Sequence, residues 1–337
     1  MQFSPYGNMP HRTPKGENTV KNTEQQIQNI KSNYNFGVEV EMTGITREEA
    51  SEVASKFFGT GRYEYTGFKN SHATWSAWDV MGREWKFSRD SSIQGPESQQ
   101  CELITPVLEY SDIPTLQELL RQLRHAGAIS NPSVGCGVHI HVSRKDGFAV
   151  KDIKNLVNMM ASHESQLVRA IRIDDSRLGQ YCKMVDRDFL ELMHRRNPQT
   201  MWELEDCWYE GNCEADDVYL RTTHYNHSRY HMLNLHSFFN GHGTVEFRLF
   251  QFANSTAERK GGIHAGEMKT FIQLCLAMCE LAHQVKCASA KPQQKENEKY
   301  AFRCWLLRLG FIGDEFKTAR EILLRNLTGN CAWRLAS

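Results

Sequence analysis

Hydrophobic and polar residues fall into several distinct rhythms along this chain. Residues 1–33 are rich in Gln, Asn, Lys and Pro with almost no apolar period, which predicts a flexible tail with helical tendency near Thr23–Ile30. Order begins at Asn35–Met42, where Phe36, Val38, Val40 and Met42 alternate with polar residues or glycine at the two-residue period of a strand. Thr46 and Glu49 have the spacing of a capping box and open a helix that runs through Phe58. Ala73–Val80 and Arg83–Ser88 read as paired strands about a Met81-Gly82 turn, and Cys101–Ile104 as a short strand before Pro106. Leu116, Leu119, Leu120 and Leu123 form one stripe of a helix over Asp112–His125, with Gly127 as its stop. Val138–Ser143 is a further strand and Ala149–Ile171 a long helix.

The rhythm is lost over residues 174–225, which read as an insertion of short helices and loops. Its acids and aromatics (Trp202, Asp206, Trp208, Tyr209, Glu214, Asp216, Asp217) frame either an entrance for an amine or a solvated cover. Met232–Phe238 and Thr244–Phe250 resemble a hairpin about Asn240-Gly241-His242-Gly243. Gly266–Gln284 is a core helix, Ser289–Lys299 a polar linker and Ala301–Leu327 a helical C-terminal piece. Separate strands and hairpins with helices on one side give an α+β class. The division is a tail (1–33), a catalytic domain (34–285, with 174–225 inserted) and an extension (286–337).

Composition narrows the classes. Lys+Arg and Asp+Glu both number 40 in 337 residues, so a generally basic nucleic-acid binder is not expected. No apolar run is long enough for a bilayer, and the start lacks the apolar core of a secretory signal; membrane association is not expected and a cytoplasmic location is. The ten cysteines form no C-x-x-C pair and are expected to be reduced; Cys275 and Cys279, four apart in an apolar helix, are read as packing residues.

Three strands carry chemistry on their polar faces. Glu39 and Glu41 share one side of their strand, His139 and His141 share a side of theirs, and Glu246 and Arg248 do the same on a third. Any one of these is compatible with a half-exposed strand facing water, and Glu246 with Arg248 is as compatible with a structural ion pair. If the strands belong to one sheet, they gather carboxylates, imidazoles and a guanidinium on one face. Crowded carboxylates repel, and a divalent cation removes that cost. An oxygen-rich site suits Mg²⁺ or Mn²⁺ better than Zn²⁺, and a nearby Arg suits phosphate. No Walker motif is present. Asp90 reads as an Asx-turn residue or a group facing a substrate amine or metal. Glu102, alone on its strand, and Asn234 with His236 carry little weight by themselves. Gly135-Cys136-Gly137 lets backbone approach a ligand or pack tightly.

In order, the blocks Phe36-Gly37-Val38-Glu39-Val40-Glu41, Asp90-Ser91-Ser92, Glu102-Leu103-Ile104-Thr105-Pro106, Gly135–Val142, Arg229-Tyr230 with Leu233-Asn234, and Thr244–Arg248 resemble the amidoligase family of the glutamine synthetase-like carboxylate–amine ligase superfamily. The resemblance implies an antiparallel, glutamine synthetase-like sheet whose concave face holds ATP and Mg²⁺, with helices on the other side. It implies metal ligands at Glu39, Glu41, Glu102, His139 and Glu246, a phosphoryl contact at Arg248, and Asp90 near the metal or the amine. His141 and Asn234 would line the nucleotide site, and Asp90 or Glu102 would take the amine's proton. The implied reaction forms an amide or isopeptide bond through an acyl phosphate, on an amino acid, peptide or protein carboxylate and amine, and homo-oligomers remain compatible with it. Two other readings stay open: a zinc hydrolase built on His139 and His141, and a non-catalytic binding protein of the same fold. A thiol enzyme using Cys136 or Cys182 has less behind it.

Overall fold

The computed structural model describes residues 15–69, 72–212, 221–223, 226–257, 261–292 and 297–332. Its centre is one antiparallel sheet of strands β1 (Tyr34–Met42), β2 (Tyr63–Lys69), β3 (His72–Trp78), β4 (Glu84–Ser88), β5 (Cys101–Ile104), β6 (Val138–Arg144), β7 (Leu233–Asn234) and β8 (Val245–Phe250). The strands lie in the order β2-β3-β4-β5-β1-β6-β8-β7, every neighbour antiparallel. The three chemistry-bearing strands, β1, β6 and β8, are therefore consecutive, with only β7 beyond them at that edge.

One face of the sheet is apolar because alternation puts Phe36, Val38, Val40, Leu103, Ile140 and Phe247 on it. Helices α2 (Arg47–Phe57), α3 (Ile113–His125) and α8 (Ala265–Gln284) belong to the core on that side, with α4 (Val150–Ile171) packed on α8. The Thr46–Glu49 capping box forms as its spacing requires: Thr46 accepts from the Glu49 N–H, and Glu49 from the Thr46 N–H. Gly127, at φ +109°, stops α3, a conformation that a Cβ would strain.

Four segments differ from the reading of the sequence. The polar N-terminal stretch is a helix, α1 (Lys15–Ser32), from which Gln26 and Ile30 are buried and Asn29 donates to the buried Glu280 of α8. Residues 1–14 lie outside the described residues. Strand β2, unread in the sequence, forms an edge of the sheet with a bulge between Tyr65 and Gly67. The expected hairpin is lopsided: β7 is two residues long, and the chain turns into a π-helical coil at Phe238–His242. The cause is local, since the Asn234 side chain accepts from the His236 N–H and ends the strand. The C-terminal piece is two helices, α9 (Glu298–Arg308) and α10 (Lys317–Leu324), with α10 packed on α8 and α4. Residues 293–296 of the linker lie outside the described residues.

Part of the segment that follows α4 borders the polar face of β1, β6 and β8. Arg177, Gln180, Tyr181, Lys183, His227 and Tyr230 line the cleft there, Arg177 and Gln180 from α5 (Asp175–Gln180), while α6 (Arg187–Arg196) and α7 (Met201–Asn212) come later in the same segment. It is stitched to the sheet margin by Met232 N–H to Lys183 O and Arg248 N–H to Met232 O. No helix among the described residues is long and apolar enough to cross a membrane.

Candidate active site

Register brings the polar groups together. Glu39 lies opposite His139, Glu41 opposite Glu102, and His141 opposite Glu246, so the side chains meet across neighbouring strands. His139 Nδ1 is 3.1 Å from Glu39 Oε2 and 3.8 Å from Glu246 Oε1, while its Nε2 is 3.8 Å from Glu41 Oε1. His141 Nε2 is 3.2 Å from Glu39 Oε1 and 4.0 Å from Glu246 Oε1. That nitrogen is buried and stands between the two carboxylates. Three sets of potential ligand atoms lie within 4.8 Å of one another: Glu39, Glu102 and His139; Glu39, His141 and Glu246; and Glu41, Asp90 and Glu102.

The whole of β8 is buried, which distinguishes it from a strand facing water. Arg248 and Glu246 are 5% and 2% exposed, and Arg248 Nη1 donates to Glu246 Oε1 at 2.5 Å. Both readings of this pair hold at once: it is a buried ion pair, and Arg248 also lines the cleft over the sheet. Its Nε donates to Tyr181 O at 3.4 Å and its guanidinium lies 5.8 Å from the Tyr230 ring centre.

Electrostatics follow from these neighbours. Burial opposes ionisation of Glu246, but Arg248 and the two imidazoles outweigh it and hold the carboxyl at about 2. Glu39 likewise stays well below the usual carboxylate range: burial raises it, and the charges and hydrogen bonds of His141 and His139 prevail. His141 is lowered by burial and raised more strongly by Glu39 and Glu246, to about 9. Glu102 goes the other way, because burial and then the charges of Glu39, Asp90 and Glu41 push its carboxyl well above the ordinary value. The charged form of Glu102 is thus disfavoured by burial and by its like-charged neighbours. Glu102→Gln should therefore raise the thermal unfolding midpoint of the metal-free chain and weaken its uptake of divalent cations. Thermal unfolding with and without Mg²⁺ checks both, and a metal-free midpoint that falls would refute the repulsion.

The carboxylate-rich sets, each with at most one imidazole, suit a hard divalent cation, and His141 Nε2 is a potential ligand atom in one of them. Neither imidazole pairs with the other in any of the three sets. Glu41 has a fixed orientation, because the Gly137 N–H donates to its Oε2 at 2.5 Å.

Asp90 forms the Asx turn its sequence allowed, its Oδ1 accepting from the Ser92 N–H at 2.7 Å, and its side chain lines the cleft. Asn234 does not line the cleft, contrary to its expected place at a nucleotide; its amide donates to Glu246 Oε2 at 2.6 Å from behind. His141 is also absent from the cleft wall and belongs with Glu39 and Glu246 instead. Cys136 and Cys182 are buried thiols pushed up by that burial, which is the wrong direction for nucleophiles. Of the acids and aromatics in the insertion, Trp208 and Tyr209 are buried, Asp206 pairs with Arg221, and Trp202 is exposed away from the cleft. Glu214, Asp216 and Asp217 lie outside the described residues.

Reading the sequence missed Arg177 on α5. Its buried guanidinium donates to Phe250 O at 2.5 Å and Arg248 O at 3.0 Å. It also fills the space beside Gly137, where an added Cβ would stand 2.3 Å from Arg177 Nη2. One side chain thus secures both the carbonyl of Arg248 and the backbone whose N–H aims Glu41. Gly137 is a close-packing glycine. Gly137→Ala should lower stability by roughly 1–3 kcal/mol through overpacking and weaken divalent-cation binding with it. Denaturant unfolding and calorimetry check this pair of effects, and wild-type behaviour in both would disprove the contact's role. No signal in the sequence around Arg177 ties it to strands seventy residues away.

The cleft has a volume of about 1090 Å³ and runs from Arg248 on β8 past the carboxylates to Thr66 on β2. Lys183, His227 and Arg229 line its far wall beside Arg248. The family model described as "Putative amidoligase enzyme" matches residues 32–279. No protein of curated function matches the sequence. A crystal structure of a bifunctional glutathione synthetase from Pasteurella multocida is similar at 12% identity and a TM-score of 0.41, over 91% of this chain and 50% of that one. The chain spans about half the length of that protein.

Proposed function

This chain belongs to the amidoligase family, and from that premise we propose that it joins a carboxylate to an amine using ATP and Mg²⁺, with Mn²⁺ as the alternative ion. The sheet is read as glutamine synthetase-like, with its polar face as the reaction surface. The observation that carries the reading is the convergence of Glu39, Glu41, Glu102, His139 and Glu246 beside a buried Arg248 that opens on the cleft.

Those five residues, with His141, would hold the metal, which supplies charge neutralisation for the phosphates of ATP. The remaining chemistry is positional. An oxygen of the substrate carboxylate attacks the γ-phosphorus; the bond to the bridging oxygen breaks and ADP leaves. Arg248 holds the transferring group by its planar fork. The amine then attacks the acyl carbon of the acyl phosphate, the C–O bond to phosphate breaks, and the amide forms. Asp90, in the cleft and fixed by Ser92, takes the amine's proton; Glu102, whose charged form burial and its acidic neighbours disfavour, is the weaker candidate.

Two rivals make different demands. A zinc hydrolase would need its imidazoles in one ligand set, whereas the sets separate His139 from His141. A non-catalytic scaffold would tolerate lost ligands, yet every position named above holds a suitable side chain. Calorimetry with ATP in Mg²⁺ and then in Zn²⁺ tests the reading without knowledge of the acceptor. The expected result is Mg²⁺-dependent ATP binding that is weakened roughly tenfold or more by Glu41→Ala. A folded chain that binds no nucleotide would end the ligase reading.

A further inference from the structure

The cleft extends well beyond the groups that the proposed phosphoryl transfer uses. Its other end lies over β2, β3 and β4, where alternation turns Thr66, Thr74, Glu84, Lys86 and Ser88 toward the cleft. The floor there is a cross-strand ladder of hydroxyls: Thr66 Oγ1 is 2.9 Å from Ser76 Oγ, Thr74 Oγ1 is 3.2 Å from Ser88 Oγ, and Ser76 donates to Glu84 Oε1 at 2.8 Å. Above it stand one acid and one base. Lys86 Nζ is 3.5 Å from Glu84 Oε2, a loose contact between side chains 34% and 35% exposed.

Register fixes the distance to the chemistry. Lys86 lies opposite Ile104, and Ile104 opposite Glu39, so this arm is two strand spacings, roughly 10 Å, from the carboxylate cluster. Ile104 lies between them and lines the cleft as an apolar stepping point. A polyphosphate is ill suited to the arm, because it would meet Glu84 with Lys86 in support, the nearby Arg89 being engaged by Gln100 and Glu97. The cationic end, with Arg248, Lys183 and Arg229, suits it better. The arm matches a ligand that carries one positive and one negative charge on neighbouring atoms, with hydrogen-bonding capacity left for hydroxyls.

Building on the ligase reading, we propose that this arm is a substrate subsite for the zwitterionic head group of a free α-amino acid. Glu84 receives the α-ammonium, Lys86 the α-carboxylate, and Thr74 and Ser88 flank them. The rest of the molecule runs over Ile104 toward Glu39. Lys86 and Glu84 are specificity residues, two strands removed from the reacting atoms.

The test is direct binding, independent of turnover. Ligand-observed NMR with the twenty free L-amino acids, and with their N-acetyl and carboxamide derivatives, is run on the full chain. At least one free amino acid should bind. Blocking either head group, or Lys86→Ala, should weaken that binding roughly ten- to a hundredfold, the scale of a lost charge-assisted hydrogen bond, and Lys86→Arg should restore most of it. Failure of every free amino acid to bind, equal binding of the blocked forms, or unchanged affinity in Lys86→Ala would each overturn the subsite. Mg²⁺–ATP calorimetry on the same samples separates the two claims. Amino-acid binding without nucleotide binding would remove the ligase reading and leave the subsite, and nucleotide binding alone would do the reverse.

Discussion

Arg248→Ala should release ADP roughly a thousandfold more slowly than the native chain and unfold at a lower temperature. The two losses have different causes. The first is the planar fork that holds a transferring phosphoryl group; a positioned arginine supplies rate factors of about 10³ or more in such reactions. The second is Glu246, which is 2% exposed and held ionised chiefly by Arg248. With the guanidinium gone, a buried carboxylate keeps only its imidazole neighbours and the Asn234 amide, a situation that costs about 3–5 kcal/mol when a buried pair is broken from one side. A double variant separates the effects. Adding Glu246→Gln removes the stranded charge, so the unfolding midpoint should recover much of its loss while ADP release does not. Arg248→Lys should keep more stability than Arg248→Ala and still lack the bidentate fork. An Arg248→Ala chain with native stability and native ADP release would refute both halves of the argument.

What the sequence disclosed, and what it hid, follows from the range of the interactions. The strands β1, β4 and β6 and the helices α2, α3 and α4 announce themselves because their alternation or caps lie within a few residues. The pairing of Glu39 with His139 and of Glu41 with Glu102 needs only that β1 sit between β5 and β6, and it does. Local patterns fail where long-range contacts decide. Helix α1 has few apolar anchors, and its link to the core through Asn29 and Glu280 is polar, invisible to a hydrophobic period. Strand β2 is interrupted by Gly67 and a bulge, which break the two-residue rhythm. In β8 the alternation of Val245, Phe247 and Leu249 with Glu246 and Arg248 suggests a wet face, yet the strand is buried throughout, with Tyr181 and Tyr230 against Arg248. Arg177 was unreadable for the same reason: its partners are carbonyls of a strand far along the chain.

Divalent-cation binding should release protons and tighten as pH rises toward about 9. The sign follows from what the metal-free site holds. Burial and then the charges of Glu39, Asp90 and Glu41 raise the carboxyl of Glu102, so a cation that takes this carboxylate as a ligand favours loss of its proton. His141, at about 9 because Glu39 and Glu246 outweigh its burial, is protonated near neutrality and must also lose its proton to act as a ligand. Each displaced proton steepens the dependence by up to about one logarithmic unit of affinity per pH unit. The metal-free chain has the opposite preference. The raised value of His141 contributes stability that is fully present below the ordinary histidine range and is lost as pH rises through about 9. The depressed value of Glu246 contributes stability present above the ordinary carboxylate range and lost as pH falls toward about 2. Alkali therefore weakens this part of the empty site while it strengthens the loaded one, so the rise in unfolding temperature caused by Mg²⁺ should grow with pH. Calorimetry in buffers of different ionisation enthalpy counts the protons directly, and Glu102→Gln should lower the count by the share that Glu102 contributes. A pH-independent affinity with no proton release would mean that the cation binds elsewhere than among Glu39, Glu102, His139, His141 and Glu246.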